Sequence, residues 1–331
     1  MKELTVQSQD AGQRFDKFLA KYLNKAPKSF VYKMLRKKNI TLNGKKAEGN
    51  EKLEKGDCVR LFFSDETLEK FSQVQISHVK QNLSILYEDE HMLLINKPCG
   101  LLSQRAKPSD VSLVEQVQSY LLDTGTVTEE SMRLFRPTVC NRLDRNTSGM
   151  VAAAKTLKGA QYLSQVFHDR TVHKYYHCLA AGRIQEASHL KGWLTKNPKT
   201  NQVQISKKAI SEESQPIETL LTPVSSCDDA TLLEICLITG RSHQIRAHLA
   251  SIGHPIIGDP KYGKASINRE YEKAFGLKYQ LLHSFRLEMP DTKGGFSYLN
   301  GKVFYAPEPE LFRKIAEKKG IRLWQPGTPE A

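Results

Sequence analysis

The stretch CNRLDRNTSGMVAAAK, residues 140–155, sets one carboxylate, Asp144, between Arg142 and Arg145, then runs through Asn146-Thr147-Ser148-Gly149 into an apolar segment. Asn, Thr, Ser and Gly favour turns, and MVAAA reads as a strand. The acid therefore lies where a loop meets the end of a strand, a place where functional side chains concentrate. An Asp beside arginines is most often half of a structural ion pair. Nearby arginines also favour the charged form of a carboxylate. Such a group is a poor proton donor at neutral pH and better suited to act as a nucleophile, or as a base for a very acidic proton.

Outward from this loop, strands and helices are interspersed. LSILYEDEHMLLINKPCG reads as two strands joined by an acidic turn, and further beta-like runs are KYYHCLAAG, QVQISKK and TLLEICLI. Helical patterns occur at SLVEQVQSYLLD, LKGAQYLSQVFHD, HQIRAHLASIG and PELFRKIAEKKG, and the final PGTPEA reads as frayed. Without strict strand–helix alternation, the pattern predicts a mixed α+β domain over residues 81–320 with a largely antiparallel sheet.

Residues 12–63 read as a separate small α/β module. QRFDKFLAKYLN puts Phe15, Phe18, Leu19, Tyr22 and Leu23 on one helical face. SFVYKMLRKKN predicts a second helix, capped by Ser29, with Phe30, Met34 and Leu35 inward. ITLNGKKA carries an Asn-Gly hairpin turn, and GDCVRLFF closes the module as a strand. Lys33, Arg36, Lys37, Lys38, Lys45 and Lys46 cluster on the second helix and hairpin. A charge run is usually a solvated face, but few acids compensate this one. Residues 64–80 are polar and aperiodic and read as a linker.

The 331 residues carry 49 Lys and Arg against 36 Asp and Glu, a formal net charge of +13. Such an excess favours a polyanionic partner, because cations that neutralise phosphates release counterions. The six cysteines show no CxxC spacing and read as free thiols of a reducing compartment. The start lacks the apolar run of a signal peptide, and no segment is apolar enough for a membrane span, so a cytoplasmic protein is expected. HExxH is absent, and so are GxxxxGK[ST], GxGxxG and GxSxG, which leaves neither a metal nor a nucleotide cofactor implied.

Two more stretches hold candidate chemistry. In TGRSHQIRAHLASIGHPIIGDPKYG, residues 239–263, Ser242 is placed to cap a helix beginning at His243, with Ile245, Leu249 and Ile252 inward and Gly253 ending it. Arg246 then projects beside the apolar stripe, able to enter a cleft and pair with a carboxylate or to lie on the surface. The residues His243, His248, His254 and Asp259 have no metal-ligand spacing. In KYYHCLAAG, residues 174–182, Lys174 and Tyr176 share one strand face. A tyrosine there is ordinary packing or a platform on which a base stacks.

Taken together and in order, INKPCGLLSQ, NRLDRNTSGM, KYYHCLAAG, TGRSHQIRAHLASIGHPIIGDPKYG and LLHSFRLEMP resemble the RluA-type pseudouridine synthases. The first module resembles the alpha-L RNA-binding domain of ribosomal small-subunit protein four. The resemblance implies an isomerase that converts uridine to pseudouridine in RNA, most often large-subunit ribosomal RNA, with no cofactor and as a monomer. It implies Asp144 as the catalytic carboxylate, Tyr176 stacking on the uracil and Arg246 paired with Asp144. Arg142 would displace the target base. Lys97, Pro98, Lys174, Arg241, His243 and Gln244 would bind substrate, and the six basic residues of the module would bind RNA. Asn141 stands where the family usually has His. Alternatives are a transfer-RNA pseudouridine synthase, an inactive RNA-binding relative, and a nucleoside hydrolase, although hydrolytic glycosidases usually need paired carboxylates.

Overall fold

A computed structural model describes residues 1–7, 10–72, 78–197, 200 and 202–323. The terminal segment expected to fray, and part of the expected linker, lie outside the described residues.

The first elements are β1 (Lys2–Thr5), α1 (Phe15–Tyr22), α2 (Lys28–Arg36), β2 (Ile40–Leu42), β3 (Lys45–Lys46), β4 (Cys58–Leu61) and α3 (Asp65–Phe71). The strands form an antiparallel sheet in the order β1-β4-β2-β3. Phe15, Phe18, Leu19, Tyr22 and Leu23 are all buried in its core. The β2–β3 turn takes left-handed φ at Asn43 (52°) and Gly44 (74°), the geometry that Asn-Gly favours in two-residue hairpins. Two expectations shift. Pro27, with φ −60°, precedes the first turn of α2, so Ser29 lies inside the helix and caps nothing. Residues 65–71 are not linker but helix: Ser64 caps α3 through Thr67 N–H, and Leu68 and Phe71 pack on the same core.

The larger body contains β5 (Ile85–Glu88), β6 (Met92–Lys97), α4 (Leu113–Asp123), α5 (Ser131–Leu134), β7 (Thr138–Val139), β8 (Ser148–Ala154), α6 (Leu157–His168) and β9 (His173–Ala181). It continues with β10 (Ser188–Asn197), β11 (Gln202–Ser206), β12 (Gln215–Ser226), β13 (Ala230–Leu237), α7 (Gln244–Ser251), α8 (Ala265–Phe275), β14 (Leu282–Glu288), β15 (Val303–Tyr305) and α9 (Glu310–Lys318). Its strands run β11-β10-β12-β13-β9-β14-β8-β6-β5, with β15 added to β14 and β7 to β8. The fold is mixed α+β, and its strand pairs are antiparallel except β8–β14.

β8 is an interior strand of this sheet, between β14 and β6, covered on both faces. Val151 and Ala153 join a core with Leu113, Val117 and Leu249, from α4 and α7. Met150, Ala152 and Ala154 join another with Leu163 and Val166 of α6. A strand buried on both sides reads as a continuous apolar run, which explains MVAAA. Gly149 marks the parallel junction with β14. Its φ is +110°, and a Cβ there would lie 2.2 Å from the Ser284 carbonyl oxygen, so any side chain would collide with backbone.

Candidate active site

The loop that precedes β8 is clamped by the one that follows β6. Lys97 is fully buried, and its Nζ donates to the carbonyls of Pro98 (2.9 Å), Leu101 (2.9 Å) and Arg145 (3.1 Å). Burial pushes its pKa down to about 8. Ser103 Oγ accepts from Leu143 N–H and donates to Leu143 O, and Gly100 N–H donates to Arg145 O. Asn141 donates from Nδ2 to Met150 O and accepts Ala152 N–H at Oδ1 (2.7 Å), tying the loop to β8. An amide carries the donor and the acceptor this position uses. Asp144, whose side chain is 28% exposed, is thereby held at the cavity wall.

Its partner comes from α7. Arg246 Nη1 donates to Asp144 Oδ2 at 2.8 Å. On its other edge Arg246 makes a two-pronged bond to Asp259, Nε to Oδ2 (2.7 Å) and Nη2 to Oδ1 (2.9 Å). Asp259 is itself buried, and its Oδ1 also accepts the N–H groups of Lys261 and Tyr262. Burial works against charge on Arg246, but Asp259 and then Asp144 outweigh it and raise its pKa further. α7 differs from the expected amphipathic helix. It begins at Gln244, one residue late, because His243 takes left-handed φ (56°) and Gln244 Oε1 holds the turn through Arg241 N–H and Thr239 Oγ1. Ser242 caps nothing. The helix ends before Gly253, leaving Ile252 40% exposed, while Arg246 and His248 are buried instead.

A cavity of about 530 Å³ opens beside this pair, large enough for one nucleoside. Asp144, Tyr176, Arg246, Arg142, Lys174, Arg241 and His243 line it. Tyr176 is 5% exposed, and burial pushes its hydroxyl pKa up to about 12. Arg142 is exposed at the rim. Arg241 has a buried Nε with no hydrogen-bond partner among the described residues. Three other expected substrate ligands have their polar groups engaged within the protein or stand apart from the cavity. Lys97 and Pro98 do not line the cavity, and the Lys97 ammonium is spent on carbonyls. Gln244 reaches the cavity wall, but its amide is saturated: Nε2 donates to Glu218 O and Thr219 Oγ1, and Oε1 accepts the two groups named above.

Sequence reasoning gave no site role to three groups. Asp259 and Tyr262 stand in the quoted GDPKYG, with nothing in the pattern to say that they face Arg246 and His243. Arg170 follows the end of α6 and lines the cavity with left-handed φ (60°), a conformation uncommon outside glycine. The six basic residues of the first body, from Lys33 to Lys46, are all exposed.

A family model described as RNA pseudouridylate synthase matches residues 91–251. A ribosomal large subunit pseudouridine synthase C from Vibrio cholerae is 32% identical over 296 residues, covering 84% of this chain and 85% of its own. One from Pasteurella multocida is 31% identical over 301 residues, covering 89% and 88%. The solved structure of human RNA pseudouridylate synthase domain containing 4 matches with a TM-score of 0.58 at 21% identity, over 72% of this chain and 94% of that one. That likeness supports the fold. Fold and sequence together define an RNA pseudouridine synthase, an isomerase that converts uridine to pseudouridine within RNA. Within that class, the chain belongs to the RluA family.

Proposed function

We propose that this enzyme isomerises specific uridines of large-subunit ribosomal RNA, with Asp144 as its catalytic carboxylate. The observation that carries the reading is a single accessible carboxylate, gripped by a buried arginine, at a nucleoside-sized cavity that also holds Tyr176. The ribosomal target is drawn from the names of the relatives.

A paired uridine must leave its helix before Asp144 can reach it, at a cost of a few kcal/mol. Arg142, exposed at the rim, fills the vacated space, and the flipped uracil stacks on Tyr176. Asp144 then acts on the ribose, by attack at the anomeric carbon or by removing a ribose proton. The bond from the anomeric carbon to N1 breaks, the base turns, and a bond to C5 forms. The proton lost from C5 balances the one gained at N1, so the product has the composition of the substrate. Arg246 keeps Asp144 ionised and aimed, and Asp259 keeps Arg246 in place. Lys174, Arg241 and His243 line the space around the nucleotide.

A nucleoside hydrolase fits less well. The carboxylate nearest in this network, Asp259, has no exposed side-chain surface and is engaged on both oxygens, so it is no partner for activating water. The first body, with Lys33, Arg36, Lys37, Lys38, Lys45 and Lys46, acts as an alpha-L-type RNA-binding module that positions without reading sequence. The enzyme works as a cytoplasmic monomer. Pseudouridine mapping in cells with and without the gene tests the target. The expected result is loss at discrete uridines of large-subunit ribosomal RNA. Loss confined to transfer RNA overturns the ribosomal assignment, and an unchanged map overturns the activity in the cell.

A further inference from the structure

His243 stands beside Asp144 yet makes no direct hydrogen bond to it: Nε2 lies 4.0 Å from Asp144 Oδ2. Its other nitrogen, Nδ1, is 3.0 Å from the Tyr262 hydroxyl. That hydroxyl already accepts the N–H of Val203, from β11, at 2.9 Å. A phenol has one proton to give, and the acceptor facing it is His243 Nδ1. Were Nδ1 protonated instead, the Tyr262 proton would have no partner and the Nε2 lone pair would face a carboxylate. Burial also lowers the basicity of this imidazole, against the pull of Asp144 and together with Arg246 and Lys261; Asp259 opposes them. A neutral ring is the form for which the tautomer matters.

We propose that Tyr262 fixes His243 as the tautomer bearing its proton on Nε2, and that this N–H donates to the Asp144 carboxylate when RNA closes the site. His243 and Tyr262 are thus positioning residues that act through Asp144, and the β11 edge strand is wired to the catalytic centre through Val203. Hydrogen bonds at catalytic groups are commonly long without substrate and tighten in the complex. The donor adds a second anchor at Oδ2, the oxygen that Arg246 already holds. The proposal rests on the pseudouridine synthase reading, but the tautomer can be read without it.

Long-range ¹⁵N–¹H spectra of the full-length protein, histidine-labelled, report the tautomer directly. The expected result is Nε2–H in the wild type and a mixture in Tyr262→Phe; a wild-type Nδ1–H signal overturns the proposal. Turnover is then measured on a large-subunit ribosomal RNA transcript with Tyr262→Phe, His243→Gln and His243→Asn. Gln places an N–H near the Nε2 position, whereas Asn places one near Nδ1. Losing one such donor is expected to lower kcat about 10- to 100-fold in His243→Asn and about tenfold in Tyr262→Phe, with KM little changed and with His243→Gln largely rescued. A purely structural role for His243 predicts the reverse order, because Asn tolerates the left-handed backbone best. Equal activity of the Gln and Asn variants, both folded, overturns the proposal. If the wild type itself makes no pseudouridine in the transcript, the ribosomal reading fails while the spectra still decide the tautomer.

Discussion

Arg246 is gripped on two edges, by Asp144 toward the cavity and by Asp259 from within. Only the Asp144 side is open to substrate. Breaking a buried ion pair from one side leaves the other charge uncompensated, at a cost of ~3–5 kcal/mol. Asp259→Asn is therefore expected to lower the thermal midpoint and also turnover, although Asp259 touches no substrate. An Asp259→Asn enzyme with wild-type kcat and melting would show that Asp259 does not hold Arg246 in place. Arg246→Lys is expected to impair turnover as well, because an ammonium cannot span two carboxylates with a planar fork; unchanged kinetics there would take Arg246 out of the site. Asp144 and Arg246 stand out in the sequence by type, an acid in a basic loop and an arginine beside an apolar stripe, whereas Tyr176, an aromatic on a strand, is singled out by the family resemblance. Asp259 does not stand out, because its significance lies in a partner thirteen residues away that only the turn after α7 brings to it. Lys97, the last residue of β6, is expected at the site through the family resemblance alone, and nothing in INKPCG reveals that three carbonyls surround it.

The parallel step between β8 and β14 fixes the height of the Asp144 loop. Two features guard it, Gly149 and the buried ring of His283. Gly149→Ala is expected to unfold the protein or lower its melting temperature sharply, since Cβ would meet backbone at 2.2 Å and φ is positive. A well-folded Gly149→Ala with unchanged melting would contradict this packing. His283 lies between Ser148 Oγ and the Ala306 carbonyl, and burial pushes its pKa down to about 4; His248 on α7, likewise buried, is also pushed down to about 4. A folded-state pKa below the unfolded value of ~6.5 means that the unfolded chain takes up protons first. The stability these rings contribute is complete above pH ~6.5 and is lost as pH falls toward 4. Urea midpoints are expected to drop across that window, and a flat profile would contradict neutral burial. Most elements are legible from periodicity, including the doubly covered β8. Two helix starts are not, because Pro27 and the side chain of Gln244, rather than the nearby serines, set where α2 and α7 begin.

Two sheets with separate cores meet through α5. Arg133 donates to Ser72 Oγ (2.8 Å) and lies 5.7 Å from the Tyr22 ring centroid, and Lys2 pairs with Glu130 at 2.8 Å. The exposed lysines and arginines of the first body thus have a defined attachment to the catalytic body. Their charge is legible in composition, whereas the docking interface, built from residues in a segment without strong periodicity, is not. Replacing Lys33, Arg36, Lys37, Lys38, Lys45 and Lys46 by Gln is expected to weaken RNA binding and to flatten its salt dependence. The slope of log affinity against log salt should fall by ~0.7–0.9 for each phosphate that is no longer neutralised. An unchanged slope would remove the module from RNA binding. The most direct measurement compares binding and conversion in one full-length variant, Asp144→Asn, on ribosomal RNA. If Asp144 is the catalytic carboxylate, that variant still folds, with Asp259 left as the counterion of Arg246, and makes no detectable pseudouridine. Its RNA affinity stays within about twofold, since one uncharged isostere leaves the phosphate-binding groups intact. Substantial pseudouridine from Asp144→Asn would contradict the assignment.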